Sequence, residues 1–126
     1  MRFPDRYALT ERVIGLAIEV HRHLGPGLLE SAYEECLCYE LATHDIEFAR
    51  QVPLPITYKE IKLDCGYRMD LVIDRSLVIE VKAIERLNPI HDAQLLTYLR
   101  LSGHRIGLLM NFHAILLKVG LRRLML

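Results

Sequence analysis

The chain has 126 residues, with 16 Lys plus Arg balanced by 16 Asp plus Glu. This length allows one domain with a self-supporting core, expected to run over residues 1–126, and a hydrophobic fraction of 52% excludes disorder. Electroneutrality excludes a polycationic nucleic-acid coat protein, so any anionic partner is drawn by local fields.

Cys36, Cys38 and Cys65 cannot all pair within the chain, and the opening MRFPDRY lacks the apolar run of a signal peptide. A reducing, cytoplasmic setting is expected. The most apolar stretch, residues 13–20, is interrupted by Glu19 and falls far short of the roughly 20 residues of a bilayer span. No membrane partner is expected.

Residues 10–24 predict a largely buried helix, because Val13, Ile14, Leu16, Ala17, Ile18, Val20 and Leu24 leave only a narrow polar stripe. Gly25-Pro26-Gly27 stops it, and Leu29, Ala32, Tyr33, Cys36, Leu37 and Leu41 recur at helical spacing in a second helix. The period then changes. Residues 46–50 predict a short strand, and Leu54, Ile56 and Tyr58 alternate beside two prolines as an edge strand that residues 61–63 continue after a turn at Lys59-Glu60. Two stronger runs, residues 66–73 and 77–83, flank Asp74-Arg75-Ser76 as a hairpin. Asn88-Pro89 starts a third helix that ends at Ser102-Gly103. Residues 106–110 and 115–119 are the last two expected strands. Charge is uneven: residues 30–47 carry six acids and no Lys or Arg, whereas residues 86–126 carry six bases and one acid. An acidic and a basic side follow.

The hairpin holds the candidate chemistry. With Asp74 to Ser76 as its loop, Ile73 pairs with Leu77, Asp70 lies opposite Glu80 and Arg68 opposite Lys82. Arg68, Asp70, Glu80 and Lys82 then share one face, and Met69, Leu71, Ile73, Leu77, Ile79 and Val81 share the other. A slip of one residue mixes the faces, so the hydrophobic pattern selects this register. Val72 and Val78 extend the polar face with apolar residues, which predicts that this face too is covered. Two carboxylates directly across such a pair sit about 5 Å apart and repel unless a proton or cation joins them. A hard divalent metal resolves the repulsion, and Lys82 stands on the same face to hold an attacking water or to neutralise developing charge. The competing reading is a surface cluster in which Arg68 and Lys82 neutralise Asp70 and Glu80.

Asp70, nine intervening residues, then Glu80-Val81-Lys82 resembles the core of the PD-(D/E)XK nuclease superfamily. The segment Gly27-Leu28-Leu29-Glu30-Ser31-Ala32-Tyr33 is similar to the signature of its small GxxExxY proteins, and Gln94 to Tyr98 resembles the Q-x-x-x-Y helix of its RecB-like and phage exonuclease branches. Met69 stands where the superfamily name has proline. The resemblance implies an α/β fold in the restriction-endonuclease-like manner, a mixed central sheet flanked by helices in the order α-α-β-β-β-β-α-β-β. It implies a metal-dependent nuclease that hydrolyses phosphodiester bonds of nucleic acid, DNA ahead of RNA. Asp70, Glu80 and the Val81 carbonyl would hold Mg²⁺ or Mn²⁺, with Glu30 reaching the metal directly or through water. Lys82 would activate the water, and Gln94, Tyr98 and Tyr33 would position the substrate.

Each of these residues also has an ordinary structural use. Glu30 suits a helix N-terminus, Tyr33 and Tyr98 suit a core with a wet hydroxyl, and His21 suits either a helix end or the neighbourhood of the site. A zinc centre on Cys36, Cys38, Cys65 and His44 is disfavoured, since residues two apart on a helix point to different sides. Arg122 and Arg123 would touch phosphate or flank a packing segment. A homodimer is expected if both strands of a duplex are cut, because each chain supplies one site. Two other functions remain open: a non-catalytic nucleic-acid-binding or adaptor subunit, and a homo-oligomeric interaction module.

Overall fold

The computed structural model describes residues 6–126; the first five residues, part of the segment read as lacking a leader, lie outside it. Helix α1 (Arg6–Leu24) and helix α2 (Glu30–Thr43) lead into strands β1 (Phe48–Pro53), β2 (Ile56–Tyr58), β3 (Ile61–Leu63), β4 (Arg68–Ile73) and β5 (Leu77–Lys82). Helix α3 (Pro89–Ser102), strand β6 (Ile106–Asn111), a 3-10 turn (Leu117–Gly120) and strand β7 (Leu121–Met125) complete the chain. The main sheet runs β1-β4-β5-β6-β7, and β2-β3 form a separate ribbon. Among the described strands only β5 and β6 are parallel, and α3 is the crossover such a pair requires. This is the expected mixed sheet flanked by helices.

Each face of the sheet has its own core. Leu71, Ile73, Leu77, Ile79 and Val81 pack with Leu9, Val13, Leu16 and Val20 of α1 and Tyr33, Leu37 and Leu41 of α2. Val72 and Val78 pack on the other face with Leu95, Tyr98 and Leu99 of α3, so that face is covered as the two valines foretold. Burial on both faces explains why the central strands read as near-continuous apolar runs.

The hairpin has the expected register, Ile73↔Leu77, Val72↔Val78 and Leu71↔Ile79. Asp74 and Arg75 both have positive φ, 50° and 56°, the geometry of a tight turn whose twist matches its strands. Helix α3 starts at Pro89, with the Asn88 N–H donating to His91 Nδ1 at 2.9 Å. It ends at Gly103, whose φ of 83° is the left-handed stop that glycine permits.

Three expectations need correction. Residues 115–119 are not a strand: Ile115, Leu116 and Val119 are exposed and only Leu117 is buried. They form the turn that returns the chain to pair β7 with β6, Gly107↔Leu124. Met69 does not share a face with Leu71; it packs on the α3 side, because the alternation of β4 breaks at Asp70. Arg68 does not face Lys82: the β4–β5 ladder stops at Leu71–Ile79, and Arg68 pairs with Pro53 of β1.

Candidate functional site

Where β4 and β5 part, side chains replace the ladder. The Asp70 N–H donates to Glu80 Oε2 at 2.9 Å, and the Val81 N–H donates to Asp70 Oδ2 at 2.8 Å. The two carboxylates therefore meet through main-chain donors of the opposite strand. Glu80 is 4% exposed, and burial followed by the charge of Asp70 pushes its carboxyl up to about 8. Burial also raises Asp70, against the bond from Val81. Neither acid is ion-paired with Arg68 or Lys82 among the described residues. Arg68 donates instead to the Gln51 carbonyl at 3.3 Å. The surface ion-pair cluster is thereby excluded, and the buried Glu80 and half-buried Asp70 share a site with no basic partner in contact.

Lys82 ends β5 and lines a cleft of about 550 Å³ with Tyr67, His91, Gln94 and Tyr98. Gln94 donates to the Tyr98 hydroxyl at 3.3 Å, one helical turn apart on α3. The Tyr67 ring meets Tyr98 edge-on at 6.4 Å, and burial, then the nearby Glu80 carboxylate, raises the Tyr98 phenol. Gln94 and Tyr98 thus reach the same cleft as Lys82.

Glu30 opens α2 and accepts the Ala83 N–H at 3.2 Å, which ties it to the chain immediately after Lys82. It borders a second cleft with Ser31 and His113. No three acidic, histidine or cysteine side chains among the described residues are grouped as metal ligands, so Glu30 stands apart from the Asp70–Glu80 pair. Tyr33 departs from its expected role. It is 0% exposed and stacks on Phe112 at 4.5 Å. Its hydroxyl donates to the Gly25 carbonyl at 2.6 Å and accepts the Leu28 N–H at 3.0 Å. A side chain so enclosed touches no substrate; it pins the loop before Glu30. His21 is likewise buried, and its Nε2 lies 2.8 Å from the Ala114 carbonyl.

Sequence reasoning missed Glu34, Arg50 and Gln51. Glu34 is buried on α2, where Oε2 accepts from Arg50 Nε at 2.7 Å and Oε1 from Gln51 Nε2 at 2.9 Å. The same Gln51 amide reaches Asp70 Oδ1 at 3.4 Å. Glu34 lies one turn beyond Glu30, the one available signal; Gln51 and Arg50 emerge only once β1 is paired with β4.

The donor set suits a hard divalent cation. Asp70 and Glu80 offer only oxygen, and each still has acceptor capacity after its main-chain bond. Their proximity in a buried setting is relieved by positive charge, and two carboxylates with water in the remaining positions is how Mg²⁺ is commonly held.

A mixed sheet covered by helices on both sides, with paired acids and a lysine where its central strands part, defines a restriction-endonuclease-like fold. A family model of the PD-(D/E)XK nuclease superfamily matches residues 7–124, and the chain belongs to that superfamily. No curated protein and no solved structure gives a significant match. No helix among the described residues is long and apolar enough to cross a membrane.

Proposed function

We propose that residues 1–126 form a single nuclease domain of the GxxExxY type, related to the RecB-like branch, that hydrolyses phosphodiester bonds with Mg²⁺ or Mn²⁺. The observation that carries this reading is the pairing of the buried Glu80 with the half-buried Asp70, held by main-chain N–H groups and without a basic partner in contact among the described residues. Asp70, Glu80 and the Val81 carbonyl would hold the ion, with Glu30 acting through water. When bound, such an ion polarises the scissile phosphate and makes water more acidic.

The chain's own residues supply the rest. Lys82, two residues beyond Glu80 and unpaired with either acid, orients the attacking water and balances charge that builds on phosphorus. Gln94 and Tyr98 bind the phosphate beside the scissile one across the cleft. Glu30 fixes the backbone after Lys82 through the Ala83 N–H. The substrate is nucleic acid, DNA ahead of RNA, in a cytoplasmic setting, and cutting of both strands of a duplex calls for a homodimer.

Cleavage of labelled single- and double-stranded DNA and RNA in Mg²⁺ and Mn²⁺ tests the proposal. Lys82→Ala and Glu80→Ala should abolish cleavage in proteins whose circular dichroism matches wild type. Metal-dependent cutting that survives in the folded double variant would overturn it. A second reading, an adaptor that binds nucleic acid without cutting, draws on the exposed Ile115, Leu116 and Val119 beside the β6–β7 turn. Binding without turnover at any divalent ion would favour it.

A further inference from the structure

We propose that Gln51 is a strained positioning residue that suspends the Asp70 carboxylate from α2 and thereby sets its affinity for a divalent cation. The inference rests on the reading of Asp70 as a metal ligand.

Gln51 sits mid-strand in β1, in register with Asp70 between the pairs Arg50↔Leu71 and Val52↔Met69. Its φ is +52°, a region that glycine adopts freely and other residues rarely. No turn accounts for this. The pairing resumes in the same register on both sides, so the conformation serves neither a reversal nor a register shift. What changes is the direction of the side chains: Phe48 packs with the α1–α2 core and Val52 with the α3 core, although strand alternation would place them together. The same break occurs across the pair, with Leu71 in one core and Met69 in the other. The disturbance is confined to the rung that holds Asp70.

The side chain explains the backbone. Nε2 of Gln51 donates to Glu34 Oε1 at 2.9 Å and to Asp70 Oδ1 at 3.4 Å, a long bond. Glu34 is a firm anchor, since it is buried and its other oxygen accepts from Arg50 Nε at 2.7 Å. Arg68 holds the turned peptide by donating to the Gln51 carbonyl. Asp70 thus receives one donor on each oxygen, from Gln51 and from Val81, and keeps lone pairs on both for a cation. Strained backbone gathers at ligand sites, and partners that orient a metal ligand commonly change affinity by roughly 10- to 100-fold.

Calorimetric titration of Mg²⁺ and Mn²⁺, with thermal melts of the metal-free protein, tests the assignment on wild type, Gln51→Gly and Gln51→Asn. Both replacements suit a positive φ, and neither spans the distance to Asp70 and Glu34. We expect a Kd about 10-fold weaker or more in both variants, with a metal-free Tm for Gln51→Gly equal to or above wild type. A purely structural Gln51 predicts the reverse, a lower Tm with an unchanged Kd. Either that pattern or failure of Gln51→Gly to fold overturns the proposal. Wild-type protein that binds neither ion, alone or with a DNA oligonucleotide, refutes the reading of Asp70 itself before any variant is made.

Discussion

Asp70 and Glu80 cross-brace the ends of two strands: the main-chain N–H of Asp70 donates to the Glu80 carboxylate, and the Asp70 carboxylate accepts from the residue after Glu80. The brace bond favours the ionised Glu80, but burial and the charge of Asp70 outweigh it, so ionising Glu80 costs the fold stability. A carboxyl raised from 4.5 to about 8 holds its proton more tightly in the native state than in the unfolded one. Its contribution is therefore fully present below about pH 4.5 and is lost as pH rises through about 8. The metal-free protein should lose on the order of a few kcal/mol across that window. Glu80→Gln should flatten the loss and raise Tm at pH 8.5 by several degrees, and Mg²⁺ should raise wild-type Tm more at pH 8 than at pH 6. Thermal scans against pH check both signs. A Glu80→Gln protein less stable than wild type at pH 8.5 would show that the brace stabilises the fold.

Tyr33 of α2 pins the loop between α1 and α2. Gly25 and Gly27 have positive φ there, 70° and 104°, and the Tyr33 hydroxyl bonds on both sides of the turn. Tyr33→Phe keeps the stack on Phe112 and strips both bonds. The expected loss is about 1–3 kcal/mol, together with slower cleavage, because Glu30 stands at the end of the loop. A Tyr33→Phe protein that melts like wild type would show that the loop is held by its own backbone.

The two arginines of β7 divide between the faces of the sheet. Arg122 pairs with Asp92 of α3 and Arg123 with Glu11 of α1, each at 2.6 Å. They clamp the edge strand to both helical layers. The losses should differ, because Asp92 Oδ1 is buried with no partner among the described residues, whereas Glu11 is half exposed. Arg122→Ala leaves Asp92 wholly unpaired and should cost about 1–2 kcal/mol; Arg123→Ala should cost less than about 1 kcal/mol and less still at high salt. Chemical denaturation at two salt concentrations separates them, and equal losses would contradict the burial argument.

The order of elements and the hairpin register were legible because local patterns decide them. Leu71, Ile73, Leu77 and Ile79 on one side and Val72 and Val78 on the other admit one pairing, and that pairing places Asp70 level with Glu80. Pairing between distant segments was not legible. Nothing within residues 115–119 marks them as a turn, since Ile115 is 86% exposed despite its strand preference; β7 forms further along because Leu121 and Leu124 fill opposite cores. The Gln51 bridge lay hidden for a related reason. A left-handed glutamine inside a strand contradicts local propensity and is held by bonds to Glu34, Asp70 and Arg68, none of them near it in sequence. Local rules fail there at the site itself, where strained residues tend to gather.

Asn111 closes the loop that follows Lys82. It lies level with Lys82 in the parallel ladder, is buried, and clasps Ile84 through both amide atoms: the Ile84 N–H donates to Oδ1 at 3.1 Å and Nδ2 donates to the Ile84 carbonyl at 3.0 Å. The His113 N–H shares Oδ1 at 3.2 Å. Asn111→Ala leaves several main-chain groups without partners and should cost about 2–4 kcal/mol. Gly120 presses on the same residue, since a Cβ added there would lie 2.5 Å from the Asn111 carbonyl oxygen. Gly120→Ala must therefore shift the Asn111 backbone and weaken the same clasp. The two substitutions should be less than additive, because each spends the same interaction. Urea denaturation of both single variants and the double variant measures the coupling. Strict additivity would mean that Gly120 is crowded for a reason unconnected with the clasp, and that the Lys82 loop is held from elsewhere.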